Sequence, residues 1–174
     1  MKSIQVRSLR QLGDRDIQQL SDVLIDCVEG GASVSFMLPI ARTTAVTFWQ
    51  GVASQVARGE RILVVAEEPG GGIVGTAQVI FAQAENQPHR ADVAKMLVHR
   101  RARRHGVGAA LLAAAEHAAR EAGKTLLVLD TASGDAERLY ARLGWQRCGV
   151  VPNYALLPGG GFCDTTFFFR TLRE

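Results

Sequence analysis

VHRRARRHGVG, residues 98–108, is the stretch on which the reading of this 174-residue chain turns. Four arginines and two histidines, residues 99–105, give way to Gly106 and Gly108 and then to the alanine-rich run AALLAAAEHAA, residues 109–119. An apolar strand, RADVAKMLV (90–98), precedes it, so the cluster joins a strand to the start of a helix. Backbone N–H groups at a helix start lack internal partners and the helix dipole is positive there. Glycines let such a loop adopt conformations that other residues resist and approach a ligand closely. The combination is a site for phosphate, rimmed by guanidinium groups.

Three other readings of the loop fail on its residues. A Walker-type loop ends in Gly-Lys-Ser/Thr, whereas Gly108-Ala109-Ala110 offers neither the lysine nor the hydroxyl. A dinucleotide fingerprint needs a third glycine where Leu111 stands, and a tight turn where seven residues separate Val98 from Gly106. Nucleic-acid binding would draw on Arg100, Arg101, Arg103 and Arg104. No aromatic residue is interleaved to stack bases, and no helix-turn-helix, RNA-recognition or zinc-finger pattern occurs elsewhere. No nucleic-acid partner is expected.

Working outward, the pattern predicts a strand over 4–10 and a helix over 15–28 capped by Asp14, with Ile17, Leu20, Val23, Leu24, Cys27 and Val28 inward. Gly30-Gly31 ends it, and GGASVSFMLPI is a loop. A second helix opens at Thr43 or Thr44 and stops at Gly59, with Val46, Trp49, Val52, Val56 and Ala57 on its inner side. Strands at 61–68 and 72–83 form a hairpin around Pro69 and the glycines that follow. The helix after the arginine loop points Val107, Leu111, Ala114, Ala115, Ala118 and Ala122 inward. A buried strand (125–131), a short helix (Asp135 to Leu143) and two strands, WQRCGVVPNYAL and DTTFFFRTL, complete an order of βααβββαβαββ. The fold class is therefore α/β, a layered domain on a mixed sheet, with residues 1–174 forming one domain. The fourth and fifth strands are parallel, joined by a crossover.

Composition agrees with a globular chain: 47% apolar and 21% charged residues, net charge +3. No apolar run approaches the ~20 residues of a membrane span, and MKSIQVRSLRQLGD lacks a signal-peptide core, so a cytoplasmic location and no membrane partner are expected. The three cysteines, Cys27, Cys148 and Cys163, are far apart and make no ligand spacing; no disulfide framework and no metal site are expected.

Arg103-Arg104-His105-Gly106-Val107-Gly108 resembles the Arg/Gln-x-x-Gly-x-Gly/Ala signature of the GNAT superfamily of acetyl-CoA-dependent N-acetyltransferases. The segment LYARLGW (139–145) is similar to that family's Leu-Tyr-x-x-x-Gly-Phe, and the element order agrees. More narrowly, GGASVSFM (30–37), RADVAKMLV and LDT (129–131) look like the tabtoxin-resistance acetyltransferases, which acetylate a small amine toxin. The resemblance implies a GNAT fold: a mixed, mostly antiparallel sheet of about seven strands, four helices, and a fourth and fifth strand that splay to admit acetyl-CoA (coenzyme A). The pantetheine arm would pair with the backbone of Met96, Leu97 and Val98. The pyrophosphate would lie on N–H groups of Arg104, His105, Gly106, Val107, Gly108 and Ala109, with the Arg103 side chain, Arg100 and Arg101 reaching the adenosine 3′-phosphate or standing in solvent.

The implied reaction is direct transfer to a primary amine. An alkylammonium with pKa near ~10 must lose a proton, so a carboxylate or carboxylate-bound water is required. Asp92, Asp130 and Glu29 are the candidates. Tyr140 is the candidate acid for the departing thiolate. Ser33, Ser35, Phe36 and Met37 are candidates to line the acceptor pocket, with Asn153, Tyr154 and Gly159 to Gly161 opposite, although Phe36 and Met37 would equally suit a core edge or an oligomer contact. The acceptor is expected to be a small molecule, such as an amino-acid-like toxin or antibiotic, in a monomer or homodimer. A protein or peptide amine, or a non-catalytic acyl-CoA sensor, is the alternative.

Overall fold

Seven strands in the order β1-β2-β3-β4-β5-β7-β6 make one sheet in the computed structural model, which describes residues 4–172. The expectations for residues 1–3, 173 and 174 lie outside the described residues. The strands are β1 (Gln5–Leu9), β2 (Arg61–Glu68), β3 (Gly72–Phe81), β4 (Arg90–Val98), β5 (Leu126–Thr131), β6 (Gln146–Leu156) and β7 (Phe162–Thr171). The helices are α1 (Asp14–Glu29), α2 (Arg42–Ala57), α3 (Val107–Glu121) and α4 (Gly134–Arg142). β4 and β5 are parallel; every other neighbouring pair is antiparallel. The expected α/β order and mixed sheet are therefore present.

Strand alternation divides the sheet's side chains between two cores. Val64, Val74, Ala77, Val79, Ala91, Val93, Leu127 and Leu129 pack against Leu111, Leu112, Ala115 and Ala119 of α3 and Tyr140 of α4. Leu63, Val65, Ile73 and Leu97 face the other way, onto Leu20, Leu24 and Val28 of α1 and Trp49 and Val52 of α2. The sheet is thus covered by α3 and α4 on one face and by α1 and α2 on the other.

Local details depart from the sequence reading. Gly13, not Asp14, precedes the first turn of α1, and its N–H donates to Asp16 Oδ2 at 2.9 Å. Asp14 and Asp16 both lie in that first turn, where carboxylates suit the helix dipole. On α3, Ala122 is exposed, while Leu112, Ala119 and Glu116 turn inward. Glu116 is buried because the indole N–H of Trp145 donates to it at 2.9 Å and the Arg170 guanidinium lies 3.2 Å away. A 3₁₀ turn, Arg100–Ala102, opens the arginine loop and buries Ala102 as its one apolar anchor.

Candidate active site

The sheet opens at its centre. β4 and β5 pair at only three positions, ending at Asp92 opposite Val128. Beyond that pair the two strands part, leaving a wedge whose walls are the remainder of β4 and of β5. β4 is also bulged: Thr76 pairs with Leu97 and Gln78 with Ala94, so Lys95 and Met96 together face Ala77. Lys95 takes a left-handed φ of 49° there. A bulge leaves backbone groups outside the ladder and re-aims side chains. Met96 and Val98 turn towards the α3 face, Leu97 towards α1 and α2. The three residues expected to meet a pantetheine arm therefore border the wedge, but the carbonyl of Val98 already accepts from Arg103 Nε at 3.0 Å and from the Cys27 thiol at 3.5 Å.

The loop below the wedge is a candidate anion cradle. No well-formed hydrogen bond to a backbone carbonyl starts from the N–H groups of residues 104–109; the series resumes with Ala110 donating to Gly106. Arg104 and Gly106 have φ of 65° and 76°, which turns successive N–H groups towards one side. A Cβ on Gly106 would meet nothing within 4 Å, so glycine is needed there for its backbone conformation. Gly108 has a different reason: a Cβ would lie 3.2 Å from Leu139, so the absent side chain lets α3 approach α4.

The arginines divide sharply. Arg100 is tied to Asp26, its N–H at 2.8 Å and its Nε at 2.9 Å, and Arg101 pairs with Glu68 at 2.9 Å. Both guanidinium groups are thus held in surface ion pairs, where the sequence left a phosphate contact and a solvated rim equally open. Arg103 folds back onto the end of β4 and under it to Cys27. Arg104 and His105 are exposed and carry no side-chain partner among the described residues, so they are the side chains left for an anion.

Tyr140 stands on the α3 side of the wedge. Its ring is buried against Trp145 and Phe168, with centroids 6.0 and 5.7 Å away. Its hydroxyl has no hydrogen-bond partner among the described residues, yet it is not sealed away. Burial, and then the charge of Asp130, push its pKa up to about 12. The phenol accordingly stays protonated over the whole physiological range.

Asp130 follows Val128 on β5 by two residues and lies beyond the last β4–β5 pair. Thr165 donates to its Oδ2 at 2.7 Å, which leaves Oδ1 uncommitted. Asp92 is placed differently. Both its oxygens accept from Arg90, at 2.8 and 2.9 Å, where β4 and β5 are still paired. Glu29 is the exposed last residue of α1. The structure brings Asp130 and Tyr140 into electrostatic reach and leaves Asp92 in an ion pair of its own.

The α1–α2 loop meets the β6–β7 hairpin. The hydroxyl of Ser33 donates to the Leu156 carbonyl at 3.2 Å, and the N–H of Leu38 to that of Pro158 at 2.9 Å. Ser33 is thereby spent on holding the loop. Phe36 packs edge-on against Phe48 at 5.3 Å as part of the α1–α2 core, and Met37 is exposed. Ser35 is exposed and meets a residue absent from the sequence reading: its Oγ lies 3.0 Å from the Nζ of Lys95, which also sits 5.9 Å from the Phe48 ring. Among the described residues no group of three metal-ligating side chains occurs, and no helix is long and apolar enough to cross a membrane.

Residues 58–147 match the acetyltransferase (GNAT) domain family, a span that runs from the start of β2 through α4 and includes the wedge, the cradle and Tyr140. The chain is also 33% identical, over 132 residues, to an uncharacterized N-acetyltransferase of Azospirillum brasilense from the hisH–hisA intergenic region, covering 75% of this chain and 76% of that one. The chain belongs to the GNAT family of acetyltransferases. It is an N-acetyltransferase, with acetyl-CoA as its acetyl donor. Its fold is that of the Salmonella typhimurium protein yncA, solved with its cofactor acetyl-CoA: TM-score 0.79, 19% identity, 99% of this chain and 95% of the other. Ribosomal-protein-alanine N-acetyltransferase from Brucella melitensis is similar in fold as well, with TM-score 0.77, 23% identity, and 97% and 99% of the two chains.

Proposed function

We propose that this acetyltransferase modifies the primary amine of a small molecule, with Tyr140 as acid and Asp130 as base. The observation that carries the reading is the pairing of a bare, protonated phenol on one side of the wedge with a half-free carboxylate beyond it. Acetyl-CoA, when bound, supplies the acetyl group as a thioester. The N–H groups of residues 104–109 fit its pyrophosphate, with Arg104 and His105 beside them, and the parted edge of β4 at Met96 and Leu97 fits the pantetheine amides.

The residues divide the chemistry. Asp130 Oδ1, directly or through a water, accepts a proton from the acceptor ammonium so that the nitrogen lone pair can attack. An N–H on the bulged edge of β4 faces the carbonyl oxygen as charge builds there. The Tyr140 hydroxyl donates to the departing sulfur. A phenol with pKa near 12 is a weaker acid than a thiol, so its contribution is a hydrogen bond to the forming thiolate, and the second proton shed by the acylated nitrogen goes to the sulfur.

The α1–α2 loop, held to the β6–β7 hairpin at Ser33 and Leu38 and to Lys95 at Ser35, borders the face that carries Lys95, which favours a compact acceptor over a polypeptide. Detoxification of an amino-acid-like toxin, the narrower likeness carried by residues 30–37, 90–98 and 129–131, is one such use. The deciding experiment compares thiol release from acetyl-CoA with a panel of small primary amines and with peptides bearing a free N-terminus or lysine. Turnover confined to small amines supports the reading. Preferential turnover of peptides transfers the assignment to a protein acetyltransferase, and tight acetyl-CoA binding without turnover of any amine transfers it to a sensor.

A further inference from the structure

Lys95 sits in the middle of β4, half-buried between the half-buried Ala94 and Met96, where an ammonium is partly desolvated. Its conformation is also costly, since a left-handed φ is uncommon outside glycine. The bulge directs its side chain to the α1–α2 face, where Ser35 Oγ at 3.0 Å is its one hydrogen-bond partner. Among the described residues no carboxylate approaches within ion-pair distance, although three donors are available on the ammonium. Burial pulls it below the usual lysine range; the charge of Asp130 opposes this and that of Arg61 adds to it.

The neighbouring floor is made of donors as well. Gln78 is paired with Ala94 across β3 and β4, and because Ala77 and Val79 enter the α3 core it faces the α1–α2 side. It is fully buried; its Oε1 accepts from Arg61, and its Nε2 has no partner. Arg61 Nε is likewise sealed without one. Buried donors left unpaired are rare and call for an acceptor. Lys95 and Arg61 thus lie near each other on this face, and the charge of Asp130 reaches Lys95 as well.

We propose that Lys95 is an acceptor-specificity residue: its ammonium, with the Ser35 hydroxyl, binds a carboxylate carried by the acceptor, so that the enzyme selects zwitterionic amines over neutral or purely cationic ones. The acceptor's ammonium then falls to Asp130, and its carboxylate to the donor side of the pocket. This inference rests on the small-amine reading above.

The test is thiol release with matched acceptors that differ by a carboxylate: L-lysine against cadaverine, L-ornithine against putrescine, β-alanine against ethylamine. Each pair is run with the wild type, Lys95→Met and Lys95→Arg, with thermal midpoint and acetyl-CoA affinity as controls. The carboxylate member is expected to lead in kcat/KM by about tenfold or more, the size of a charge-assisted contact. Lys95→Met should remove that lead while sparing the decarboxylated member, and Lys95→Arg should restore part of it. Equal or better use of the decarboxylated members, or a Lys95→Met loss shared by both members, overturns the inference and leaves the small-amine reading standing. Silence with both series overturns the two together.

Discussion

Replacing Tyr140 by phenylalanine removes one oxygen from the wedge and nothing else. The ring's packing on Trp145 and Phe168 is retained, and because the hydroxyl has no protein partner, no buried group is orphaned. Stability should therefore shift by no more than about 0.5 kcal/mol, the usual range for a substitution that breaks no buried feature. The catalytic effect should be larger. A hydrogen bond to a charged partner contributes about 1.5–3 kcal/mol, and each 1.36 kcal/mol is tenfold in rate, so kcat should fall about 10- to 150-fold. Steady-state thiol release, with a thermal melt and a coenzyme A titration on the same preparation, separates these terms. The expected result is a fall in kcat with the melting midpoint and coenzyme A affinity held. Because the phenol titrates only near pH 12, the wild-type rate should show no falling limb from Tyr140 below about pH 11. An unchanged kcat, or a loss that follows a loss of stability, would refute the assignment.

Three further expectations concern other parts of the molecule. Asp130→Asn should lower kcat at neutral pH by about 10²-fold, the scale of a lost general base, whereas Asp92→Asn, which only loosens an ion pair with Arg90, should leave kcat within about twofold by the same assay. Burial raises the Asp26 pKa, but the N–H and guanidinium of Arg100 outweigh it and hold the carboxyl below its usual value. Its stabilising contribution is thus present above about pH 4 and is lost as pH falls through the folded-state value. Asp26→Asn should therefore melt below the wild type at pH 5–7, and the gap should close in acid. Glu116→Ala strands the Trp145 indole N–H and the Arg170 guanidinium, and should cost about 2–4 kcal/mol; a melting midpoint within about 1 °C of wild type would contradict that account.

Much of the scaffold was readable from residue order because its signals are local. The runs at 61–68 and 90–98 coincide with β2 and β4, and the apolar spacing on α1 names the residues that are buried there. The open N–H groups of the arginine-glycine loop were likewise readable, since a helix start after glycine has unpaired N–H groups wherever it occurs. What escaped depends on contacts distant in sequence. The ion pair of Arg100 is one such contact, because Asp26 stands 74 residues earlier. Lys95 shows no signal in RADVAKMLV, because alternation alone cannot reveal that a two-residue bulge re-aims it towards Ser35, 60 positions away. Asp92 and Asp130 were equivalent as letters on adjacent strands; the register that parts β4 from β5 after Asp92 distinguishes them.

The central claim is that the loop of residues 104–109 seats the phosphates of acetyl-CoA. Calorimetric titration of the wild type and Gly106→Val with acetyl-CoA, with a thermal melt of each, tests it most directly, because a β-branched residue resists φ of 76° while its Cβ meets no neighbour. One-to-one binding by the wild type, weakened about tenfold or more in the folded variant, is the result expected, tenfold being 1.4 kcal/mol of contact to the cradle. Equal affinity in the two proteins would contradict the placement of the cofactor.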